Sequence, residues 1–414
     1  MGPSLLVRLL IQMTLVQATA PVSMSGVATP ALAGGEAGCA RIADMRVGLV
    51  VDQLFAPVPG GTGRYAGELA AALTLAAPPQ SSLQPWSAWH GSRPPASATG
   101  SLPSGASGLR QLPIGSKVLS RMWERGLGPA PRDADVVHAT TLLIPPKRRA
   151  ALVVTIHDVV PWTHPETLTA RGLRFHQRMG ARAAGEADLI VTHTVAVADQ
   201  IRGILAPAAE VVAIPAGFSS HLSVPDDAQE RCARHVGSGH YLLFVGTAEP
   251  RKGLDTLLDA LAEPALKEQS LVVVGPRGWG GVDVRQDAEA RGIEDRVTVT
   301  GRLDDADLAA LYAGASLVVM PSRAEGFGLP VLEAMALGAP VVTSDDPAML
   351  ELGGGATQTF PVGDASALSA AIVRVLNDAG LRAQMIEAGR TRAQEFNWLD
   401  SARALWGLYA RLAQ

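Results

Sequence analysis

Ser316-Leu-Val-Val-Met320 runs into Pro321-Ser-Arg-Ala-Glu325-Gly-Phe-Gly-Leu-Pro330-Val-Leu-Glu333-Ala-Met-Ala-Leu-Gly338, and then into Pro340-Val-Val-Thr343. The outer runs are short, apolar and rich in Val, as strands buried on both faces are. Pro330 suits a first helical turn and Gly338 a C-terminal cap, so a helix is expected over roughly 329–337. Strand, glycine loop, helix and strand make one unit of a parallel sheet covered by helices.

The same alternation extends outward in both directions. Val47–Val51, Val136–His138, Ala151–Ile156, Leu189–Thr192 and Val211–Ile214 read as strands of a first series. Tyr241–Val245, Leu271–Val274, Val297–Thr300, Ser316–Met320 and Pro340–Thr343 read as strands of a second. The expected fold class is α/β, with two Rossmann-like, doubly wound domains at 45–222 and 223–396. The boundary falls in Ser219–His240, where Ser, Pro, Asp and Gly interrupt the apolar pattern. Residues 77–118, rich in Pro, Ser and Gly, read as a long variable loop region. Residues 397–414 read as a helix packing back on the first domain.

Composition narrows the classes further. The 414 residues are 47% hydrophobic and 18% charged, which is globular and not disordered. With 35 basic and 39 acidic residues, a net charge of -4 gives no general pull toward nucleic acid. Cys39 and Cys232 form no CxxC pair, which argues against a disulfide framework or a zinc site and fits a reducing, cytoplasmic compartment. Leu5–Val16 is apolar but broken by Arg8, Gln12 and Thr14, too short and polar to span a membrane. Ala18-Thr-Ala20 has a loose likeness to a signal-peptide cleavage site. The preferred reading starts translation at Met45, leaving 1–44 a disordered or misannotated extension.

Open parallel sheets bind ligands beyond the carboxyl ends of their strands, so residues just after each strand carry the chemistry. Pro59-Gly-Gly-Thr-Gly63 follows the first strand and opens a helix expected from about Arg64. It is either a tight turn or a loop for a phosphate or substrate. After Tyr241–Val245 comes Gly246-Thr-Ala-Glu-Pro-Arg-Lys-Gly253, where Arg251 and Lys252 supply two charges to set against a diphosphate. Gly326 and Gly328 leave N–H groups open to a phosphate. A carboxylate beside a diphosphate would be repelled, so Glu325 is expected to face sugar hydroxyls, and Glu333 to accept from a ribose. His157-Asp158 follow a strand directly; His157 reads equally as a ligand to a substrate hydroxyl or phosphate and as a structural residue. His138 fits a core histidine at a strand end. Arg171, Arg174, Arg178 and Arg182 share a helix face, either solvated or docking on anionic lipid headgroups or an acidic acceptor. Asp305-Ala-Asp307 looks like a metal-holding D-x-D but fits a helix N-terminus better, so no metal is expected.

Together these segments resemble glycosyltransferase family 4, retaining enzymes of the GT-B fold. The likeness runs from about Met45 to the C-terminus and is weakest over 77–130. It is carried by Gly60-Gly61 with Arg64-Tyr65, Thr155-Ile-His157-Asp158, Ile214-Pro-Ala-Gly217, Glu249-Pro-Arg-Lys-Gly253, Gly301-Arg302 and the E-x7-E pair Glu325 and Glu333. The Glu-Pro-Arg-Lys element looks like that of bacterial mannosyltransferases in polysaccharide or glycolipid assembly. The resemblance implies a cleft, with acceptor bound by the first domain and a nucleotide sugar by the second. On that reading Lys252 and Arg251 hold the diphosphate and Glu333 the ribose. Glu325 and the backbone of Gly326, Phe327, Gly328 and Leu329 hold sugar and phosphate. Gly61 closes over the diphosphate, and His157 contacts the sugar. The leaving phosphate takes the acceptor's proton, so no protein nucleophile is needed. Three positions depart from the family: Thr247 stands where many members have Arg, Ala216 where Asn is usual, and His193-Thr194 where a serine is common.

The expected activity is retaining hexosyl transfer, mannose from GDP-mannose favoured, to a glycan or lipid-linked acceptor. Peripheral contact with the inner face of the cell membrane is the possible role of the arginine face. The alternatives are a sugar-nucleotide epimerase or hydrolase, and a non-catalytic binding protein on the same fold.

Overall fold

The computed structural model describes residues 44–56, 60–91, 108–219, 221–237 and 239–414. The expectation for 1–44 lies outside these residues, apart from Asp44. The described residues belong to one compact unit.

In chain order the strands are β1 (Arg46–Val50), β2 (Ser82–Trp89), β3 (Arg110–Gly115), β4 (Val136–Ala139), β5 (Ala151–Thr155), β6 (Leu189–Thr192) and β7 (Glu210–Ala213). They are followed by β8 (Tyr241–Val245), β9 (Ser270–Val274), β10 (Val297–Gly301), β11 (Leu317–Met320), β12 (Val341–Ser344) and β13 (Gln358–Phe360). The first seven form one sheet, ordered β3-β2-β1-β4-β5-β6-β7, and the rest a second, ordered β10-β9-β8-β11-β12-β13. The strand pairs are parallel throughout, and strands such as β5, β8 and β11 are almost wholly buried, as sheets covered on both faces require. The α/β class is therefore as the sequence indicates.

The helices are α1 (Gly60–Leu75), α2 (Ser116–Trp123), α3 (Val160–Thr163), α4 (Ala170–Glu186), α5 (Val195–Leu205), α6 (Ala228–Val236) and α7 (Leu254–Ala262). Then come α8 (Val284–Glu289), α9 (Asp305–Gly314), α10 (Leu329–Ala336), α11 (Pro347–Gly353), α12 (Ala365–Asn377), α13 (Ala379–Ala393) and α14 (Trp398–Leu412). None among the described residues is long and apolar enough to cross a membrane.

Two expectations need correction. Residues 77–118 are not one long loop: β2, β3 and the start of α2 lie within them. Pro85 and Pro113 disguise these strands, yet Leu83, Trp86, Ala88 and Leu112 are buried, and Pro113 sits in an edge strand where a missing donor is tolerated. α1 starts at Gly60, a turn earlier than expected, because the first N–H groups of a helix need no intrahelical acceptor and glycines there break no ladder. The boundary segment contains α6, which has no buried residue and so no apolar stripe to read. Polar bonds hold it on α9: Arg231 Nη1 donates to Asp307 at 2.7 Å, and Cys232 Sγ to the Ala310 carbonyl at 3.0 Å.

α14 lies against α1. Trp406 Nε1 donates to the Leu73 carbonyl at 2.9 Å, and Arg411 pairs with Glu210 at 2.9 Å. The chain crosses between halves at Gly217, where a Cβ would overlap the Trp398 backbone nitrogen.

Candidate functional site

The strand ends bring the predicted charges together more tightly than expected. Beyond β8, Pro250–Lys252 make a single 3-10 turn and Gly253 takes φ 66 before α7 begins. A Cβ on Gly253 would overlap the Pro321 carbonyl oxygen, so this turn sits directly against the loop leaving β11. Lys252 Nζ donates to Glu325 Oε1 at 2.5 Å and Arg251 Nη1 to Glu325 Oε2 at 2.9 Å. Ser322 Oγ adds a bond to Oε1 at 2.7 Å. Arg251 Nε also meets Glu249 Oε1 at 2.7 Å, while Glu249 Oε2 is buried without a partner.

Burial alone would raise the Glu325 carboxyl, but Lys252 and then Arg251 outweigh it and hold it at about 2. Burial and neighbouring Arg251 lower Lys252 against the pull of Glu325. Burial raises Glu249 despite both cations. Glu325, expected to face sugar hydroxyls alone, thus has both oxygens on the cations expected to hold a diphosphate. The reason is electrostatic: two adjacent cations draw in the carboxylates nearest to them, Glu325 on both and Glu249 on Arg251. Any entering diphosphate shares Lys252 and Arg251 with Glu325.

Glu325 leads into α10 through three glycine-dependent contacts. A Cβ on Gly326 would overlap the His157 carbonyl oxygen, and Thr194 Oγ1 donates to the Gly326 carbonyl at 3.3 Å. Gly328 takes φ 98 and packs on Met349. Across the cleft, a Cβ on Gly61 would lie 3.8 Å from Leu329. Phe327 is buried against Phe396 and His193, so only its backbone is available to a ligand. Within the first α10 turn the Val331 and Leu332 N–H groups bond to the Gly328 carbonyl and Pro330 has none, while the helix presents the positive end of its dipole to the loop before it.

Glu333, one turn into α10, is also fully engaged. Arg64 Nη1 donates to its Oε1 at 2.5 Å and Tyr312 OH to its Oε2 at 2.8 Å. Burial raises its pKa, and Arg64 offsets that only in part. Arg64 also reaches Asp305 at 3.1 Å. The expected ribose ligand is therefore held by a cation from α1. The crevice beside it, lined by Arg64, Glu68, Ser219, Leu332 and Glu333, is closed to a water-sized body and is thus far below the size of ordinary ligand sites. Anything that binds there has to displace Arg64 or part the halves.

His157 ends β5 facing this loop. Its Nε2 lies 2.8 Å from the Thr140 carbonyl and its Nδ1 2.8 Å from His193 Nε2, so both ring nitrogens have protein partners. His138 is a core residue of β4, bonded to Tyr409 OH at 2.6 Å and Thr155 Oγ1 at 2.8 Å, with burial pushing it down to about 3. Asp305 and Asp307 lie in the first turn of α9, capped by Asp304. Asp307 faces Arg231 and His235.

The arginine face of α4 is not uniformly free. Arg182, 10% exposed, pairs with Glu186 and donates to the carbonyls of Trp123, Ile144 and Pro145; it cannot meet a membrane. Arg171 and Arg178 remain exposed but pair with Glu124. Arg64, Tyr312, Ser322 and His193 were not expected as ligands to the site glutamates and histidine. Arg64 stands one turn beyond the first glycines and His193 directly after a strand, the signal that singled out His157.

Two parallel sheets with cations and glycine loops gathered at their carboxyl edges define a GT-B glycosyltransferase. The model of the family Glycosyl transferases group 1 matches residues 228–392. O-antigen chain mannosyltransferase B of Escherichia coli is 32% identical over 262 residues, 61% of this chain and 68% of that protein. Phosphatidyl-myo-inositol mannosyltransferase of Mycobacterium leprae is 30% identical over 291 residues, 68% of this chain and 74% of that protein. The Anabaena protein HepE, solved with UDP and glucose, superposes with a TM-score of 0.66 at 20% identity, over 88% of this chain and 99% of that one. The chain belongs to the glycosyl transferases group 1 and is a transferase of that class.

Proposed function

We propose that the protein moves a hexosyl group, with retention, from a nucleoside-diphosphate sugar to a glycan or lipid-linked acceptor, and that GDP-mannose is its donor. The observation that carries this is the convergence of Arg251, Lys252 and the start of α10 on one point beside Glu325. In transfer, the bond from the anomeric carbon to the diphosphate oxygen breaks. A bond to the acceptor oxygen forms on the same face, and the acceptor's proton passes to the leaving phosphate. Lys252 and Arg251 offset the charge that grows on that phosphate, so the step calls for no metal. Glu325 keeps both cations in place and offers its remaining lone pairs to sugar hydroxyls; Glu333 takes the ribose once Arg64 lets go. The names of the two mannosyltransferase relatives support mannose, and the UDP complex of HepE supports a nucleotide donor.

Arg171, Arg174 and Arg178, with Lys117, Arg121 and the exposed Val118 of neighbouring α2, suit contact with an anionic membrane. Binding to vesicles with and without anionic lipid checks this; equal binding to both overturns it.

A ligand at about 100 times its Kd stabilises the folded state by about 2.7 kcal/mol. Thermal-shift measurements with GDP-mannose, UDP-glucose, GDP and UDP are expected to give the largest rise with GDP-mannose. Labelled-sugar transfer should persist in chelator and vanish in Lys252→Ala. A larger rise with UDP-glucose overturns the choice of donor, and no response to any nucleotide overturns the reading as a whole.

A further inference from the structure

Two imidazoles close neighbouring strands at the carboxyl edge of the first sheet, His157 after β5 and His193 after β6. His157 Nε2 lies 2.8 Å from the Thr140 carbonyl oxygen. A carbonyl oxygen can only accept, so Nε2 carries the proton. A neutral imidazole has one N–H, which leaves Nδ1 a bare lone pair. His193 Nε2, 2.8 Å from that lone pair, must then be the donor. The remaining nitrogen of His193 lies 3.4 Å from the Ile214 carbonyl oxygen, a contact too long to compete with the two 2.8 Å bonds that set the direction. The chain of bonds has one direction: His193 to His157 to Thr140.

Reversing it would require a charged His157. Burial opposes that, lowering His157 and pushing His193 down to about 3. The pair is also held sterically. The Tyr65 ring lies edge-on to both imidazoles, with centroids 5.0 and 4.8 Å away. On the other side His193 meets Phe327, and the His157 carbonyl oxygen lies against Gly326. His193, 5% exposed, is thus wedged between His157 and the loop leading into α10.

We propose that His193 is a positioning residue for hexosyl transfer. Its N–H fixes His157 in the Nε2–H tautomer, so His157 offers the cleft a hydrogen-bond donor and never an acceptor. A donor suits an oxygen of the nucleotide sugar, and can be passed to it from Thr140 without a change of protonation. Without His193 the Thr140 carbonyl alone selects the tautomer, so the Nδ1–H form gains population and that share presents a lone pair to the sugar oxygens once the ring leaves Thr140. The inference rests on the proposed reading of the site as a nucleotide-sugar site.

The test uses the full chain with ¹⁵N-labelled histidine rings, His157 being assigned by loss of its signals in His157→Gln. The wild type is expected to show His157 protonated at Nε2 and bare at Nδ1. His193→Leu should show a larger share of the Nδ1–H tautomer than the wild type, and His193→Gln, whose amide can donate from a similar position, should bring that share back down. In transfer assays His193→Leu should lower kcat by about 10²-fold with little change in donor KM, the scale of a misplaced reacting group. His193→Gln should recover most of it. A wild-type His157 protonated at Nδ1 overturns the inference without reference to any variant, as does a lost tautomer preference that leaves kcat unchanged. Loss of kcat in His193→Gln as deep as in His193→Leu, with both folded, overturns it as well. Absence of transfer by the wild type overturns the functional reading alone, since the tautomer is measured without substrate.

Discussion

Glu325 stays ionised while buried because Lys252 and Arg251 are built around it, and that has a pH signature. Its folded pKa of about 2 lies below its ordinary 4.5, so the ion contributes stability above about pH 4.5 that is lost as pH falls through 2. At 1.36 kcal/mol per pKa unit the contribution is about 3 kcal/mol. Glu325→Gln should therefore be less stable than wild type by about that much at pH 7, with the gap closing as pH falls from 4.5 toward 2. Denaturant melts of both proteins across this range check it; a gap independent of pH sinks the assignment. The same substitution should abolish transfer, because the cations lose the anion that aims them. The cations themselves were legible in the sequence, since Gly246 and Gly253 mark the turn after β8. Their partner was not. Glu325 lies 73 residues from Lys252, and an argument from repulsion by a ligand left out the attraction between neighbours that exists before any ligand arrives.

At the level of elements, the buried strands with Val-rich runs were readable and the edge of the first sheet was not. β2 and β3 pair parallel beside β1, yet each contains a proline, and β3 alternates too weakly to announce a buried face. Similarly, α6 could not be found from hydrophobic spacing because only Cys232 and Val236 pack on the core and ion pairs do much of the rest. The loop into α10 was recognised from Gly326 and Gly328, but a second use of Gly326 was not foreseen. Gly326 lets the loop touch β5, and that contact is a matter of space. Gly326→Ala should push the loop off the His157 carbonyl oxygen, costing about 1–3 kcal/mol as other overpacking does and most of the transfer rate. Thermal melts and initial rates check it; a variant with wild-type rates would show that the loop moves freely there. Arg182 tests α4 in the same way. Arg182→Ala strips partners from the carbonyls of Trp123, Ile144 and Pro145 and should cost about 1–3 kcal/mol. Because Arg182 faces inward, vesicle binding should not change, whereas Arg174→Ala should reverse both results.

At the scale of the whole molecule, the two sheets are latched by Arg64, 269 residues from the Glu333 it holds. No local pattern could reveal that pair, although both residues stood in motifs that the sequence singled out. With the latch in place the crevice has no room for even a water-sized body, so Arg64 competes with whatever Glu333 is meant to bind. Breaking a buried pair by removing one partner costs about 3–5 kcal/mol. Arg64 keeps 31% of its side chain in water, so Arg64→Ala should cost less, about 2 kcal/mol, mostly from leaving the buried Glu333 carboxylate with the Tyr312 hydroxyl but no cation. Arg64→Ala with Glu333→Gln should then regain most of that loss, since no lone charge remains. Two further measurements separate a latch from a simple structural pair. The ligand-free Arg64→Ala protein should have a larger radius of gyration by solution scattering than wild type. GDP should raise its melting temperature more than it raises that of the wild type, because no ion pair has to be broken before the ribose reaches Glu333. A smaller response to GDP would mean that Arg64 helps to hold the nucleotide, and that the closed cleft is already its binding form.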